Sequence, residues 1–371
     1  MFSTAAGLWF QLNLEILHMS NCELRRLTAI SPRGGGCGCK LPQQQLNHLL
    51  KPTLGLKNVW PNVVLGADAG DDAAILKNPG DDLVLTTDVG TPTVDDPWGW
   101  GEMYTTHAIS DVYAMGGVPF AALAVMGVPE GRLGEFGEVL RASTECLARH
   151  GVALVGGHTM MADDNPFFGL TVIGSVQAGR MLLKSTPKPG DDLVLTKPIG
   201  VGLYLGAHRA GDLDAAGYAE LMAVTCQDNA IGSVAAAKQM ANACADVTGW
   251  GLLGELGAMA KAGNVAITLD LASIPMMDRA IQYASTGYWT SGGLHNLEPI
   301  ADLIIGYIHE DVLPVLLDPQ TSGGLLLSCP PERSAELIGL AQAMGNIHAA
   351  RIGTVAAGEP SVLIAHRGGL Q

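Results

Sequence analysis

The sequence predicts a two-domain protein of mixed α/β (α+β) class, on three observations. The 371 residues suffice for two domains at roughly 100 to 200 residues apiece. With 48% hydrophobic residues and a positive mean hydropathy, the chain can bury large cores, and a charged fraction of 15% is too low for a disordered one. Along it, apolar runs of strand length mix with helical patterns that end on glycine.

Residues 1–30 are expected to form a disordered N-terminal extension. Their apolar stretch, Ala5 to Leu17, is broken by Gln11, Asn13 and Glu15 and follows no Lys or Arg, so it is neither a good signal peptide nor long enough to span a bilayer. Residues 31–50 join the run Ser31-Pro-Arg-Gly-Gly-Gly-Cys-Gly-Cys-Lys40 to a short helical pattern, and the glycine-rich run reads as a mobile loop. An N-terminal domain over 51–180 should hold strands at 82–87, 120–128, 152–155 and 168–177. Its helices should lie at 102–115, ended by Gly116-Gly117, and at 134–149, closed by Gly151.

The segment Pro79-Gly-Asp-Asp-Leu-Val-Leu-Thr86 recurs letter for letter as Pro189-Gly-Asp-Asp-Leu-Val-Leu-Thr196. The copies diverge at once, into Thr87-Asp88 and Lys197-Pro198, so the repeat reads as shared turn-and-strand chemistry and only weakly as a duplicated domain. The second copy opens a C-terminal α+β domain over 181–371. Helical patterns are expected near 214–243 and 250–262, strands near 266–271, 302–308 and 324–328, then a helix at 332–344 and two closing strands.

The formal net charge of −15, from 36 acidic and 21 basic residues, repels a phosphate backbone and argues against nucleic acid as a partner. An acidic surplus suits the collection of divalent cations around an anionic ligand such as a nucleotide. The 48 glycines, well above a usual ~7%, have no collagen-like period and mark tight turns and loops where backbone approaches a ligand. Seven scattered cysteines make no disulfide framework, and a cytoplasmic protein with no membrane association fits them best.

Cys37 and Cys39 flank one glycine, and the neighbouring Lys40 ammonium favours thiolate. The pair reads as a nucleophile or chalcogen handler, with a metal half-site or two idle thiols as the alternatives. Carboxylates recur in small-residue settings. They are Asp68, Asp71 and Asp72 in Gly66-Ala-Asp-Ala-Gly-Asp-Asp-Ala-Ala74, Asp88 at a strand end, Asp111 in a helix one turn after His107, and Asp246 before Val-Thr-Gly249. Phosphoryl transfer needs such groups, because magnesium bridges phosphate oxygens and takes oxygen ligands. Any one of them standing alone reads first as a turn or cap residue, a reading open to Asp246 and harder for Asp111, which sits inside a helix next to apolar neighbours. Gly156-Gly157-His158 is expected at the exit of the strand Val152 to Val155, where nucleotides are often held. No Walker A pattern and no Gly-x-Gly-x-x-Gly at a strand-to-helix turn occurs.

Taken together, Gly36-Cys-Gly-Cys-Lys40, Gly70-Asp-Asp-Ala-Ala74, Thr86-Thr-Asp88, Ala108-Ile-Ser-Asp-Val-Tyr-Ala-Met-Gly-Gly117, Gly156-Gly-His158, Asp246-Val-Thr-Gly-Trp-Gly-Leu-Leu-Gly254 and Asp318-Pro-Gln-Thr-Ser-Gly-Gly-Leu-Leu326 resemble the selenophosphate synthetases (selenide, water dikinases). The aspartate layout is shared with aminoimidazole ribonucleotide synthetase, thiamine-monophosphate kinase and the hydrogenase maturation protein, whereas the Cys-Gly-Cys-Lys loop singles out this family. The resemblance implies a two-domain aminoimidazole-ribonucleotide-synthetase-like fold, whose N-terminal domain pairs across a homodimer into a β-barrel, with ATP between domain and dimer surfaces. It implies conversion of ATP, selenide and water to selenophosphate, orthophosphate and AMP, with Mg²⁺, a monovalent cation such as K⁺, and a selenium-delivery protein as partner. Carried over motif by motif, Cys37 handles selenium and Lys40 contacts phosphate. Asp72, Asp111 and Asp246 become magnesium ligands, and Ala69, Gly70, Asp71, Asp88, Asp111, Gly156, Gly157 and His158 line the nucleotide.

The chain departs from the family pattern at Gly70, often a larger polar or basic residue, and at His107, often asparagine. It departs again at Val89-Gly90, often two aromatics, and at Gly292-Gly-Leu-His-Asn296, where a Gly-Gly-Thr-x-Arg-Asn pattern is usual. A sibling ATP-dependent synthetase or small-molecule kinase of the same fold, and a non-catalytic nucleotide or chalcogen binder, are the alternatives.

Overall fold

The first sheet follows from strand-length apolar runs separated by turns. The computed structural model describes residues 26–30, 61–66 and 69–365. The expected loop with Cys37 and Lys40 lies outside these residues, as does Asp68. Strands β1 (Val63–Leu65), β2 (Ala74–Leu76), β3 (Asp82–Gly90), β4 (Val118–Val128), β5 (Ala153–Met161) and β6 (Phe167–Val176) lie in the order β1-β2-β3-β6-β4-β5. All neighbours are antiparallel except β4 and β5.

After the short helical turn α1 (Leu27–Ile30), two long helices, α2 (Pro97–Ala114) and α3 (Leu133–Arg149), cover one face of this sheet. Trp100 of α2 is fully buried edge-on to Phe136 of α3 and Phe168 of β6, at 5.5 and 6.1 Å between ring centroids. The opposite face is open: Val89, Phe120 and Leu123 are exposed, and edge strand β5 is exposed along nearly its whole length.

The second sheet contains β7 (Asp192–Leu195), β8 (Ala243–Asp246), β9 (Val265–Asp270), β10 (Ile304–Ile305), β11 (Leu325–Cys329), β12 (Ala350–Ala357) and β13 (Ser361–Ala365), in the order β10-β13-β9-β12-β7-β11-β8. Every residue of β7, β8 and β11 is buried, which is why these strands read as continuous runs with little alternation. Around the sheet lie α4 (Val201–Ala210), α5 (Ala215–Thr225), α6 (Ile231–Ala237), α7 (Gly251–Gly263), α8 (Ala280–Ser285), α9 (Ser291–His295), α10 (Leu313–Leu317) and α11 (Pro331–Ala343).

Several elements differ from expectation. Helix α2 begins at Pro97, ahead of the expected 102, because the Asp96 carboxylate accepts the N–H groups of Trp98 and Gly99 at 3.3 and 2.8 Å. Strand β5 runs on to Met161, so Gly156-Gly157-His158 lie inside it and not at its exit. Gly157 serves close strand approach: a Cβ there would meet the Ala124 carbonyl oxygen at 2.0 Å. The helical pattern at 214–243 divides into α5 and α6, and the strand expected at 302–308 is only the two-residue β10, preceded by a 3₁₀ turn over Glu298–Leu303.

The two halves meet along α2. Asn229 Nδ2 donates to Ser110 Oγ at 2.7 Å and to the Gly323 carbonyl at 2.8 Å, and Ser233 Oγ donates to the Gly117 carbonyl. At Gly232 the backbones touch, since a Cβ would fall 2.1 Å from the Tyr113 carbonyl oxygen. Gly232→Ala is therefore expected to force α6 away from α2 and to lower stability by about 1 to 3 kcal/mol, read as a drop in the urea midpoint at unchanged slope.

Candidate active site

At the seam, β3 and α2 present one group of polar residues and the second sheet presents another. Asp111 and His107 stand one helical turn apart on the same face of α2. Thr86 Oγ1, on β3, donates to Asp111 Oδ2 at 2.6 Å. The fully buried His107 accepts the Ser322 N–H at Nδ1, 3.3 Å away, so the proton of the neutral ring sits on Nε2, which lies 3.7 Å from Asp88 Oδ1.

The Asp318–Leu326 segment is held by a helix start. Asp318 Oδ2 accepts the N–H groups of Gly202 and Leu203 at 2.7 and 3.2 Å, and Gln320 Oε1 accepts those of Gly200 and Val201 at 2.9 and 3.0 Å. All four donors that α4 cannot satisfy internally are thus met by two side chains of one loop. The anchored loop turns through Ser322, at φ +56°, and the Lys197 ammonium donates to the Ser322 carbonyl at 2.9 Å. Burial pushes the Lys197 pKa down to about 8, against the pull of Asp246 and Asp228.

The second group centres on Asp72. Its Oδ1 lies 3.3 Å from Lys184 Nζ, and its Oδ2 accepts the Asp246 N–H at 3.3 Å. Lys184 Nζ also lies 2.9 Å from Glu255 Oε2 of α7 and 5.3 Å from the Trp250 ring centroid, while its backbone N–H donates to Asp71 Oδ1 at 3.1 Å. Burial works against the Lys184 charge, but Asp72, Glu255 and Asp71 outweigh it and hold its pKa above the ordinary lysine range. Burial, then Asp72, raises the Asp71 carboxyl to about 6.

Asp246, at the end of β8, is 1% exposed, and the Ser110 hydroxyl of α2 is its hydrogen-bonding side chain. Burial lifts its pKa to about 7, with Asp72 adding to the rise and Ser110 and Lys197 opposing it, so this carboxyl feels both groups of the site.

Asp71, Asp72 and Asp246 are therefore brought together, with Asp88 and Asp111 beside His107 on the adjoining face of α2. Ala69 and Gly70 are exposed just before Asp71, with Gly70 in a left-handed turn at φ +67°. Gly156, Gly157 and His158 are not brought to this group within one chain. Strand β5 stands three places from β3, roughly 14 Å at the usual strand spacing. Sequence reasoning missed Lys184, Lys197, Asn229, Glu255 and Ser322. Glu255 left a trace as the one charge in the apolar run Gly251 to Met259, and Lys184 follows the apolar Met181-Leu-Leu183.

Two family models match, described as AIR synthase related protein, N-terminal domain, over residues 70–176, and the corresponding C-terminal domain over residues 188–366. Solved structures share the fold: a thiamine-monophosphate kinase from Stenotrophomonas maltophilia K279a at 22% identity and TM-score 0.60, covering 87% of this chain and 96% of that one. A hydrogenase maturation protein, HypE, in complex with ATP aligns at 20% identity and TM-score 0.63, covering 93% and 96%. Among curated relatives, the selenide, water dikinase of Paraburkholderia xenovorans (strain LB400) is 37% identical over 91% of this chain and 96% of its own length. That of Pseudomonas straminea is 35% identical over 95% and 100%. With both halves matched and such relatives aligned nearly end to end, the chain belongs to the selenide, water dikinase family, on the two-domain AIR synthase related fold.

Proposed function

We propose that this protein makes selenophosphate from selenide, ATP and water, releasing AMP and orthophosphate. Family membership supplies the reaction, and the observation that carries it to this chain is the buried Asp246 carboxylate beside Asp72 at the seam. Two carboxylates buried side by side are costly unless a cation offsets their charge. Among the described residues, no three His, Cys, Asp or Glu side chains close into a metal cage. Mg²⁺ needs only one or two carboxylates, since phosphate oxygens and water fill the rest of its shell. Asp246 and Asp72 would hold it, with Asp111 set by Thr86 alongside. Bound there, magnesium would neutralise charge on the transferring phosphate.

The chain's own groups orient and exclude water. His107, fixed by Ser322, turns its Nε2 toward Asp88 and so helps position that carboxylate for the nucleotide. Ala69 to Asp71 form the exposed turn against which the nucleotide would lie, and Cys37 and Lys40 handle selenium and phosphate. Gly156 to His158 would serve the nucleotide of a second copy. The exposed edge of β5 and the bare apolar face with Val89, Phe120 and Leu123 support a homodimer in which two such sheets close into a barrel. No described helix is long and apolar enough to cross a membrane. The four cysteines among the described residues are free thiols, which fits a cytoplasmic setting.

Anaerobic phosphorus NMR with ATP, Mg²⁺ and selenide tests this reading. A selenide-dependent phosphorus signal with one AMP per ATP is expected, and ADP as the sole nucleotide product would point to a sibling kinase. Cys37→Ser should abolish selenide-dependent turnover, and Asp72→Asn should abolish ATP turnover altogether; normal activity in both would refute the site assignment. Asp246→Asn is expected to raise the unfolding midpoint of the nucleotide-free protein, by about 1 kcal/mol in stability, because it removes a charge buried beside another carboxylate. The same change should cut turnover on the order of 100-fold or more. A variant that is both less stable and fully active would contradict the role given to Asp246.

A further inference from the structure

The ammonium of Lys184 has no part in the family reading, yet it occupies the centre of the acidic cluster. Lys184 lies on the segment between β6 and β7, is 4% exposed, and its Nζ sits 3.3 Å from Asp72 Oδ1 and 2.9 Å from Glu255 Oε2. Glu255 is 3% exposed, and the Trp250 ring closes another side at 5.3 Å. The backbone N–H of the same lysine holds Asp71 at 3.1 Å. One residue thus gathers two carboxylates from the first half of the chain and one from α7 in the second.

A hard divalent cation is held by carboxylate oxygens brought from separate elements, and Asp72 and Glu255 bring two of them to one point. Here the point is taken by a cation that the chain itself supplies. We propose that Lys184 is a tethered cation filling a divalent-metal position between Asp72 and Glu255, so that it sets how many ions the site takes and confines them to the Asp246 side of Asp72. The two oxygens of Asp72 divide accordingly: Oδ1 faces the ammonium, and Oδ2 faces the backbone N–H of Asp246. A fixed ammonium differs from an exchangeable ion in cost. It adds no metal to be bound, and it links the two halves of the chain before any nucleotide arrives. Removing it leaves Asp72 and Glu255 facing one another without their shared counter-charge, a repulsion that an entering divalent ion relieves.

The inference rests on Asp72 and Asp246 being cation ligands, and the test separates the two. Mn²⁺ binding to the nucleotide-free protein is titrated by the EPR signal of the free ion, for wild type, Lys184→Met and Lys184→Met/Glu255→Gln. Lys184→Met is expected to take one more Mn²⁺ per chain than wild type, and the double variant to lose that extra ion. Equal numbers in wild type and Lys184→Met overturn the inference while leaving the ligand reading intact. Should circular dichroism show that the methionine variant does not fold, Lys184→Gln, which keeps a donor for Glu255 without the charge, carries the same comparison with the same two outcomes. Mn²⁺ uptake that neither Asp72→Asn nor Asp246→Asn alters overturns the ligand reading and the inference together.

Discussion

The Asp246 carboxylate is buried at the end of a strand that is itself fully buried, with the Ser110 hydroxyl as its hydrogen-bonding side chain. Shielded from bulk solvent, its charge must be met by other charges or by a bound cation. Asp72, Asp71 and Glu255 add further negative charge, and two buried lysines, Lys184 and Lys197, offset part of it. The balance remains negative, which is the condition a site needs if it is to take up magnesium and a triphosphate together.

Holding those charges in register is the work of the seam. The Asp318–Leu326 loop is fixed by capping α4, and its carbonyls and N–H groups then reach Lys197, Asn229 and His107. Close backbone approach at Gly232 lets α6 lie against α2, which carries His107 and Asp111. Stability and site geometry therefore share the same contacts: the interface that joins the two halves is also the wall of the site.

Much of this was legible in the sequence. The two-domain class, both long helices of the first half and the closing strands follow from apolar patterning, whereas setting Asp72, Asp111 and Asp246 together rests on the family resemblance. What was not legible depended on long-range partners. Lys184 and Glu255 are 71 residues apart, and a lone lysine or glutamate in an apolar run does not announce its counter-ion. Gly156 and Gly157 read as a strand exit because glycine is a common turn residue; here both lie within β5, and Gly157 serves close pairing with β4. The start of α2 was placed late because Trp98, Gly99 and Gly101 are poor helix formers locally, and the Asp96 cap with Pro97 overrode them.

The most direct measurement of the central claim is anomalous diffraction from crystals grown with Mn²⁺ and a non-hydrolysable ATP analogue. A manganese peak within about 2.5 Å of an Asp246 carboxylate oxygen, shared with a phosphate oxygen of the nucleotide, is the predicted result. A fully occupied nucleotide with no metal at Asp246 would contradict the account.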